Sequence, residues 1–268
     1  MTYEGQDIGP DAMAAGWYWK VANFRIPDAE INVSKQLSLV NEITQCNGNI
    51  WSLYPDDFWL SPPRAIQGAE RKLHQLLVAK EVGFTIPRTH LGNSWKDVED
   101  VKQEVGQPIA VKMFRGVIAD QNQIRAMYTT QLTAPLLDQL RDSTIPFPGI
   151  YQPFLPKARE WRVTVVGDEV FAGAIYTDDS AKDDWRRMQS TAAVALKLET
   201  LPKGAEALCR EYIKRMGLGI GSFDLVEQPD GAIVFLECNP QGQFGFLEET
   251  LGLPISDAIA GRLAEIAG

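Results

Sequence analysis

SFDLVEQPDGAIVFLECNPQGQ, residues 222–243, decides the reading of this chain. Residues 223–227 and 232–238 are rich in β-branched and aromatic side chains, which suit strands. Between them, Pro229-Asp230-Gly231 carries the Asp-Gly pair favoured in two-residue hairpin turns. With Asp230 and Gly231 at the centre of such a turn, Pro229 faces Ala232. Counting outward then sets Asp224 opposite Glu237, with Asn239 two residues further along the same face. Facing carboxylates repel, and burying both costs several kcal/mol or forces one to take up a proton. A hard dication removes the conflict. Oxygen-only donors from Asp224, Glu237 and Asn239 suit Mg²⁺, which completes its octahedron with water and phosphate oxygens. The alternative is a solvated hairpin with its acids on opposite faces.

The rest of the chain narrows the classes. Its 268 residues are 45% hydrophobic and 23% charged, enough for a substantial core in one large domain or in two or three lobes. A net charge of −9 argues against a nucleic-acid surface but not against a nucleotide met by a few local cations. Three cysteines without metal spacing make no disulfide framework. Neither a signal-peptide pattern nor an apolar run of membrane-spanning length is present, so a cytoplasmic location is expected, with no membrane and no nucleic-acid partner.

Upstream of the hairpin, residues 1–16 read as a loose start. The aromatic stretches around Trp17-Tyr18-Trp19 and Trp51-Tyr54-Phe58-Trp59 read as packing surface, separated by a helix over about 28–47. Residues 65–81 have the apolar spacing of one amphipathic helix, with Gly83 as its C-cap and Pro87 beyond. Lys72 lies beside its apolar stripe, in reach of a cleft. Residues 109–114 read as a buried strand with Lys112 in the middle, where a lysine must reach out or meet an anion. The Arg115-Gly116 turn follows, and residues 121–141 look helical. Residues 151–155 read as a short strand. A second hairpin around Gly167-Asp168 puts Glu160, Arg162 and Thr164 on one face by its period of two. This is either a salt bridge on an exposed sheet or an acid and an arginine lining one cleft. Asp183-Asp184-Trp185-Arg186-Arg187 reads as a polar loop, and residues 204–216, 246–251 and 254–266 as helices.

A helix lysine, a strand lysine, a short strand, a hairpin with arginine and then Asp…Glu-x-Asn form an ordered set that resembles the ATP-grasp superfamily. The stretches WRVTVVGDEVFAGAI, DDWRR and FLECNPQGQF are similar to the microviridin-type (graspetide) peptide ligases, and through them to the ribosomal-protein glutamate ligase and glutathione synthetase groups. The resemblance implies an α+β ATP-grasp fold of two α/β lobes clamping ATP. Residues 63–268 would form it, as a central lobe of about 63–150 and a C-terminal lobe of about 151–268. Residues 1–62 read as a shortened form of the N-terminal lobe that such ligases carry. The resemblance further implies ATP and Mg²⁺ as cofactors, a precursor peptide as partner, and relatives that are often dimers. By position, Lys72 and Lys112 match the phosphate-contacting lysines, and Gln152, Phe154 and Leu155 the linker whose backbone reads adenine. Pro153 stands where many relatives have Glu and removes one N–H donor, shifting the adenine contact to Phe154 and its neighbours. Glu160 matches the ribose-side acid, Arg162 and Arg186 the substrate- and phosphate-facing arginines, and Asp224, Glu237 and Asn239 the Mg²⁺ ligands.

Such a site supports attack of a substrate carboxylate on the γ-phosphoryl group of ATP, then attack of a hydroxyl or amine on the resulting acyl phosphate. Three readings stay open. The substrate is a genetically encoded peptide to be crosslinked; or a free amino acid or small peptide; or the chain is a nucleotide- or peptide-binding partner without turnover.

Overall fold

The computed structural model describes residues 2–3, 6–7, 12–20, 33–105, 108–114, 117–120, 123–126, 129–141, 148–178 and 194–268. The chain begins with β1 (Thr2–Tyr3), β2 (Gln6–Asp7) and α1 (Val33–Trp51), then a 3-10 turn (Asp56–Phe58), α2 (Pro63–Ala69) and α3 (Lys72–Val82). There follow β3 (His90–Gly92), α4 (Trp95–Val105), β4 (Ile109–Lys112), β5 (Val117–Asp120), β6 (Gln123–Ala126), β7 (Thr130–Leu132), α5 (Ala134–Arg141) and β8 (Gly149–Pro153). The last part is β9 (Arg159–Val166), β10 (Glu169–Thr177), β11 (Val194–Lys197), α6 (Ala205–Arg215), β12 (Ile220–Glu227), β13 (Ile233–Asn239), α7 (Gly245–Leu251) and α8 (Ile255–Ala267).

Two antiparallel sheets organise these elements, ordered β11-β10-β9-β12-β13 and β3-β8-β4-β7, so the class is α+β as expected. The period of two in β9 explains the larger core. Trp161, Val163 and Val165 point into a cluster built with Leu76 and Ala79 of α3, Cys209 and Tyr212 of α6, and Phe223, Leu225 and Phe235 of the hairpin. The alternate residues Glu160, Arg162 and Thr164 are left for the other face. A second cluster seats α7 and α8 under the same sheet, through Leu247, Ile255 and Ile259 against Val166 and Ile220. In the smaller sheet, Ile109, Leu132 and Tyr151 pack on Val98 and Val101 of α4. The early aromatics do act as packing surface: Gly16 bridges Trp59, with the Leu60 N–H donating to the Gly16 carbonyl at 2.8 Å. Among the described residues no helix is long and apolar enough to cross a membrane.

Three local expectations change. The helix expected over 65–81 is two helices, broken at Glu70-Arg71, where Arg71 turns extended. Buried Gln75 holds the break: its Nε2 donates to the Ala69 carbonyl at 2.6 Å, and its Oε1 accepts the Cys238 N–H at 3.1 Å. Residues 121–141 are not one helix, since β6 and β7 precede α5; pairing of β7 with β4 outweighs the apolar spacing. The strand expected over 109–114 ends at Lys112, and Phe114 is exposed.

Candidate active site

The floor of the site is the β12–β13 hairpin, and Asp224 does face Glu237, with Ser222 facing Asn239. The turn that was to fix this register is nevertheless different. Pro229, Asp230 and Gly231 form a three-residue loop, closed by the Gln228 N–H on the Ala232 carbonyl at 2.9 Å, with Gly231 at φ +85°. Beside the loop the pairing is Glu227 with Ile233, one residue out from the expected register. A bulge then restores it. Leu225 pairs with Phe235 and Asp224 with Glu237, leaving Leu236 as the extra residue.

Each facing carboxylate has its own cation, which corrects the argument that a dication alone reconciles them. Arg162 lies opposite Asp224 on β9 and donates Nη1 to its Oδ1 at 2.8 Å, with both residues 6% exposed. Lys72 Nζ donates to Glu237 Oε2 at 2.6 Å. The α2–α3 break makes this second contact, because it sets Lys72 at the first residue of α3, and Gln75 one turn on ties that helix to β13. Asn239 is exposed, and its Oδ1 accepts the Gln241 N–H at 3.0 Å. A carbonyl oxygen has a second lone pair, so this bond leaves Asn239 able to serve as a ligand. No cluster of three His, Cys, Asp or Glu side chains that could hold a metal occurs among the described residues. The oxygen-only set of two carboxylates and one amide fits Mg²⁺ supplemented by water and phosphate oxygens.

Above this floor, Lys112, Gln152, Phe154, Leu155 and Glu160 line one cleft together with Asp224 and Glu237, and Ala110, Val226 and Leu236 supply apolar wall. The even spacing in β9 brings Glu160 to the cleft, while Arg162 is not among its lining residues and lies in a buried ion pair with Asp224; the expected salt bridge is thus present, on a buried and not an exposed sheet face. Gln152 is buried and donates Nε2 to Thr89 Oγ1 at 2.9 Å. The Phe154 N–H donates to the Pro108 carbonyl at 2.8 Å, so Phe154 has no backbone donor left to offer a base. Among the described residues nothing accepts from the Leu155 N–H, the next donor along. Glu160 is buried beside Lys157, whose Nζ donates to its Oε1 at 2.9 Å and sits 5.7 Å over the Phe154 ring.

Sequence reading left out Lys157 and Gln75, and it gave the Gln241-Gly242-Gln243 loop after β13 only by resemblance, as the substrate-side edge of the site. In that loop, a Cβ on Gly242 would stand 2.6 Å from Ser222 Oγ and 2.9 Å from Arg162 Nη2, while the Gln243 carbonyl accepts from Arg162 Nη2 at 2.9 Å. A glycine three residues before a strand-following helix was the available signal. Arg186, the Arg115-Gly116 turn and the 183–187 charge cluster lie outside the described residues.

Residues 69–263 match the RimK-like ATP-grasp domain. The structure of macrocyclase MdnC from Microcystis aeruginosa MRC, bound with precursor peptide MdnA, is similar at a TM-score of 0.82 and 32% identity, covering 98% of this chain and 82% of that one. Macrocyclase MdnB from the same organism is similar at 0.76 and 26% identity, covering 98% and 80%. A probable alpha-L-glutamate ligase of Trichodesmium erythraeum (strain IMS101) is 24% identical over 211 residues, 75% of this chain and 66% of the relative's own length. With that domain across most of its length, the chain belongs to the RimK-like ATP-grasp family.

Proposed function

We propose that this protein is an ADP-forming ligase that activates Asp or Glu side-chain carboxylates of a ribosomally made precursor peptide and joins them to hydroxyl or amine groups, as esters or amides. The observation that carries the reading is the row Arg162, Asp224, Glu237 and Lys72 across β9, the hairpin and the start of α3, opening on the cleft that holds Lys112. The 32% identity to MdnC across nearly the whole chain supports the peptide as substrate. Residues 63–268 would act as the ATP-grasp unit, with Trp17 and Leu60 of the preceding segment packed against it.

In the first step a carboxylate oxygen bonds to the γ-phosphorus of ATP, and the bond from that phosphorus to the bridging oxygen breaks, releasing ADP. In the second, a hydroxyl or amine attacks the acyl carbon, loses its proton, and inorganic phosphate leaves with the C–O bonding pair. The Leu155 N–H meets the adenine edge and Glu160 the ribose hydroxyls. Lys112 and Lys72 balance phosphate charge, Lys72 turning from Glu237 to do so. Mg²⁺ held by Asp224, Glu237 and Asn239 would lower the charge on the phosphates. Arg162 or Arg186 stabilises the oxyanion of the tetrahedral intermediate.

The test is ADP release from the purified protein with Mg·ATP, with and without a Thr/Ser- and Asp/Glu-rich peptide encoded beside its gene. Mass spectrometry of that peptide should show losses of about 18 Da per bond, one water for each condensation. The similarity to a probable glutamate ligase favours a second reading, ligation of free amino acids, which ADP release with glutamate but not with peptide would support. ADP release with neither acceptor overturns both.

A further inference from the structure

Among the described residues, every acid lining the cleft is met by a cation of the chain itself. Arg162 donates to Asp224 at 2.8 Å, Lys72 to Glu237 at 2.6 Å and Lys157 to Glu160 at 2.9 Å. Lys112 lines the same cleft as a fourth cation, so these residues together carry a positive charge in excess. A bare dication meets only compensated carboxylates there, whereas a polyphosphate meets a cationic wall.

The pairs differ in how readily they open. The Arg162 and Asp224 side chains are 7% and 8% exposed, and Arg162 Nη2 is also held by the Gln243 carbonyl at 2.9 Å. Breaking that pair strands a buried charge. Lys72 and Glu237 form the most open pair, 25% and 19% exposed, and the lysine head rides on a flexible four-carbon stem. Its backbone end, however, cannot retreat. Lys72 is the first residue of α3, and Gln75 fastens that helix to β13 by accepting the Cys238 N–H at 3.1 Å. The ammonium can therefore turn aside toward another anion while its charge stays close to Glu237.

We propose that Lys72 is the built-in counter-ion of Glu237, and that it shuts a free divalent cation out of the site of Asp224, Glu237 and Asn239 until a polyphosphate draws the lysine away. Nucleotide and metal then bind with positive coupling, because the phosphates that take Lys72 also free Glu237 for the metal. The inference rests on the metal ligands proposed above and adds an order of binding, in which the metal enters with the nucleotide or after it. Removing the lysine charge should undo that order and leave a cation site that needs no nucleotide. A partly exposed pair is worth less than about tenfold by itself. The tethered ammonium, even turned aside, also repels a dication a few Å away, and the two effects together exceed about tenfold.

The experiment titrates Mn²⁺, which takes the same oxygen donors as Mg²⁺, into the full chain and follows the free ion by EPR. It is run without nucleotide, and with ADP against a protein-free Mn·ADP blank. Lys72→Met keeps the stem without the charge, and Lys72→Arg keeps the charge. Lys72→Met combined with Glu237→Gln removes the carboxylate as well, and so separates this site from weak binding to surface acids. Without nucleotide, Lys72→Met should gain a metal site at least about tenfold tighter than any in the wild type. Lys72→Arg should stay like the wild type, and the double variant should lose the gained site. With ADP, the wild type should bind the metal. Equal Mn²⁺ binding by the wild type and Lys72→Met without nucleotide overturns the counter-ion role. So does a gained site in Lys72→Arg, or one that survives Glu237→Gln. If the wild type takes up no Mn²⁺ beyond the blank even with ADP, the metal assignment itself fails and the counter-ion role falls with it. Metal bound with ADP but bound equally well without it leaves that assignment standing and overturns the inference alone.

Discussion

Replacing Gly242 by alanine tests the geometry of this site without removing any of its functional groups. The new Cβ would lie 2.6 Å from Ser222 Oγ, 2.9 Å from Arg162 Nη2, and closer still to Ser222 Cβ. These are about 1 Å short of ordinary van der Waals separations. Neither neighbour can give way: Ser222 is 1% exposed and hydrogen-bonded to Thr164 at 3.1 Å, and Arg162 is held by Asp224. The loop must therefore retreat by about that distance, which stretches the 2.9 Å bond from Arg162 Nη2 to the Gln243 carbonyl past hydrogen-bonding range. Overpacking of this kind costs about 1–3 kcal/mol. At about 2–4 °C per kcal/mol for a chain near this size, Tm should fall by roughly 2–12 °C. Catalysis should suffer more, because displacing a positioned group by about 1 Å commonly lowers kcat/KM about 10²-fold.

The assay is kcat/KM for acceptor-dependent ADP release, with ADP affinity and a thermal melt measured beside it. Gly245→Ala is the control three residues away. Nothing lies within 4 Å of a Cβ there, and the site opens α7, so that variant should keep full activity and lose no stability. Gly242→Ala should bind ADP like the wild type and still turn over about a hundredfold more slowly. Turnover within about twofold of wild type would refute the claim that this loop positions Arg162.

The two facing acids should part company in stability. Asp224→Ala strands a buried guanidinium and should cost about 3–5 kcal/mol in urea unfolding, whereas Glu237→Ala loses a partly exposed pair and should cost under about 1 kcal/mol. Glu237→Ala should nevertheless lose about 10²–10³ in turnover, and near-wild-type ligation removes it from the site. Arg186→Ala should likewise fold and lose most turnover, and undiminished ligation ends its assignment. A thiol reagent should titrate one cysteine of the native protein, exposed Cys46, and three after unfolding. Burial pushes the Cys209 and Cys238 thiols far above their ordinary range and shuts out reagent, so a second fast thiol would show the core to be loose.

How much of this was legible depends on how far apart the partners lie in the chain. The face shared by Glu160, Arg162 and Thr164 follows from a period of two within a few residues, and it was readable. Capping of α3 by Gly83, which donates its N–H to the Lys80 carbonyl at 3.1 Å, is equally local. The break between α2 and α3 was marked only by Gly68 in the last turn of α2, a weak signal inside an otherwise continuous apolar spacing, and the group that satisfies the end of α2 is a side chain reaching across from α3. The apolar spacing of Ile124, Met127 and Leu132 suits a helix, but short apolar runs are ambiguous until strand partners are known. The hydrogen bond from Lys20 to Gln241 joins positions 221 apart, and no local pattern announces it.

The hairpin register is the instructive case, since the correct pairing of Asp224 with Glu237 was reached through a turn that does not exist. A three-residue loop followed by an unbroken ladder would pair Asp224 with Leu236 and swing Glu237 to the core face, beside Phe223 and Tyr212. The bulge prevents this and leaves two successive residues, Leu236 and Glu237, lining the cleft between the core residues Phe235 and Cys238. A regular pleat cannot do that, because it alternates faces. A nucleotide site needs apolar surface under its base directly beside charge near its phosphates. One bulged strand provides both at adjacent positions, so the extra residue that spoils the simple register count is also what brings Glu237 into the site.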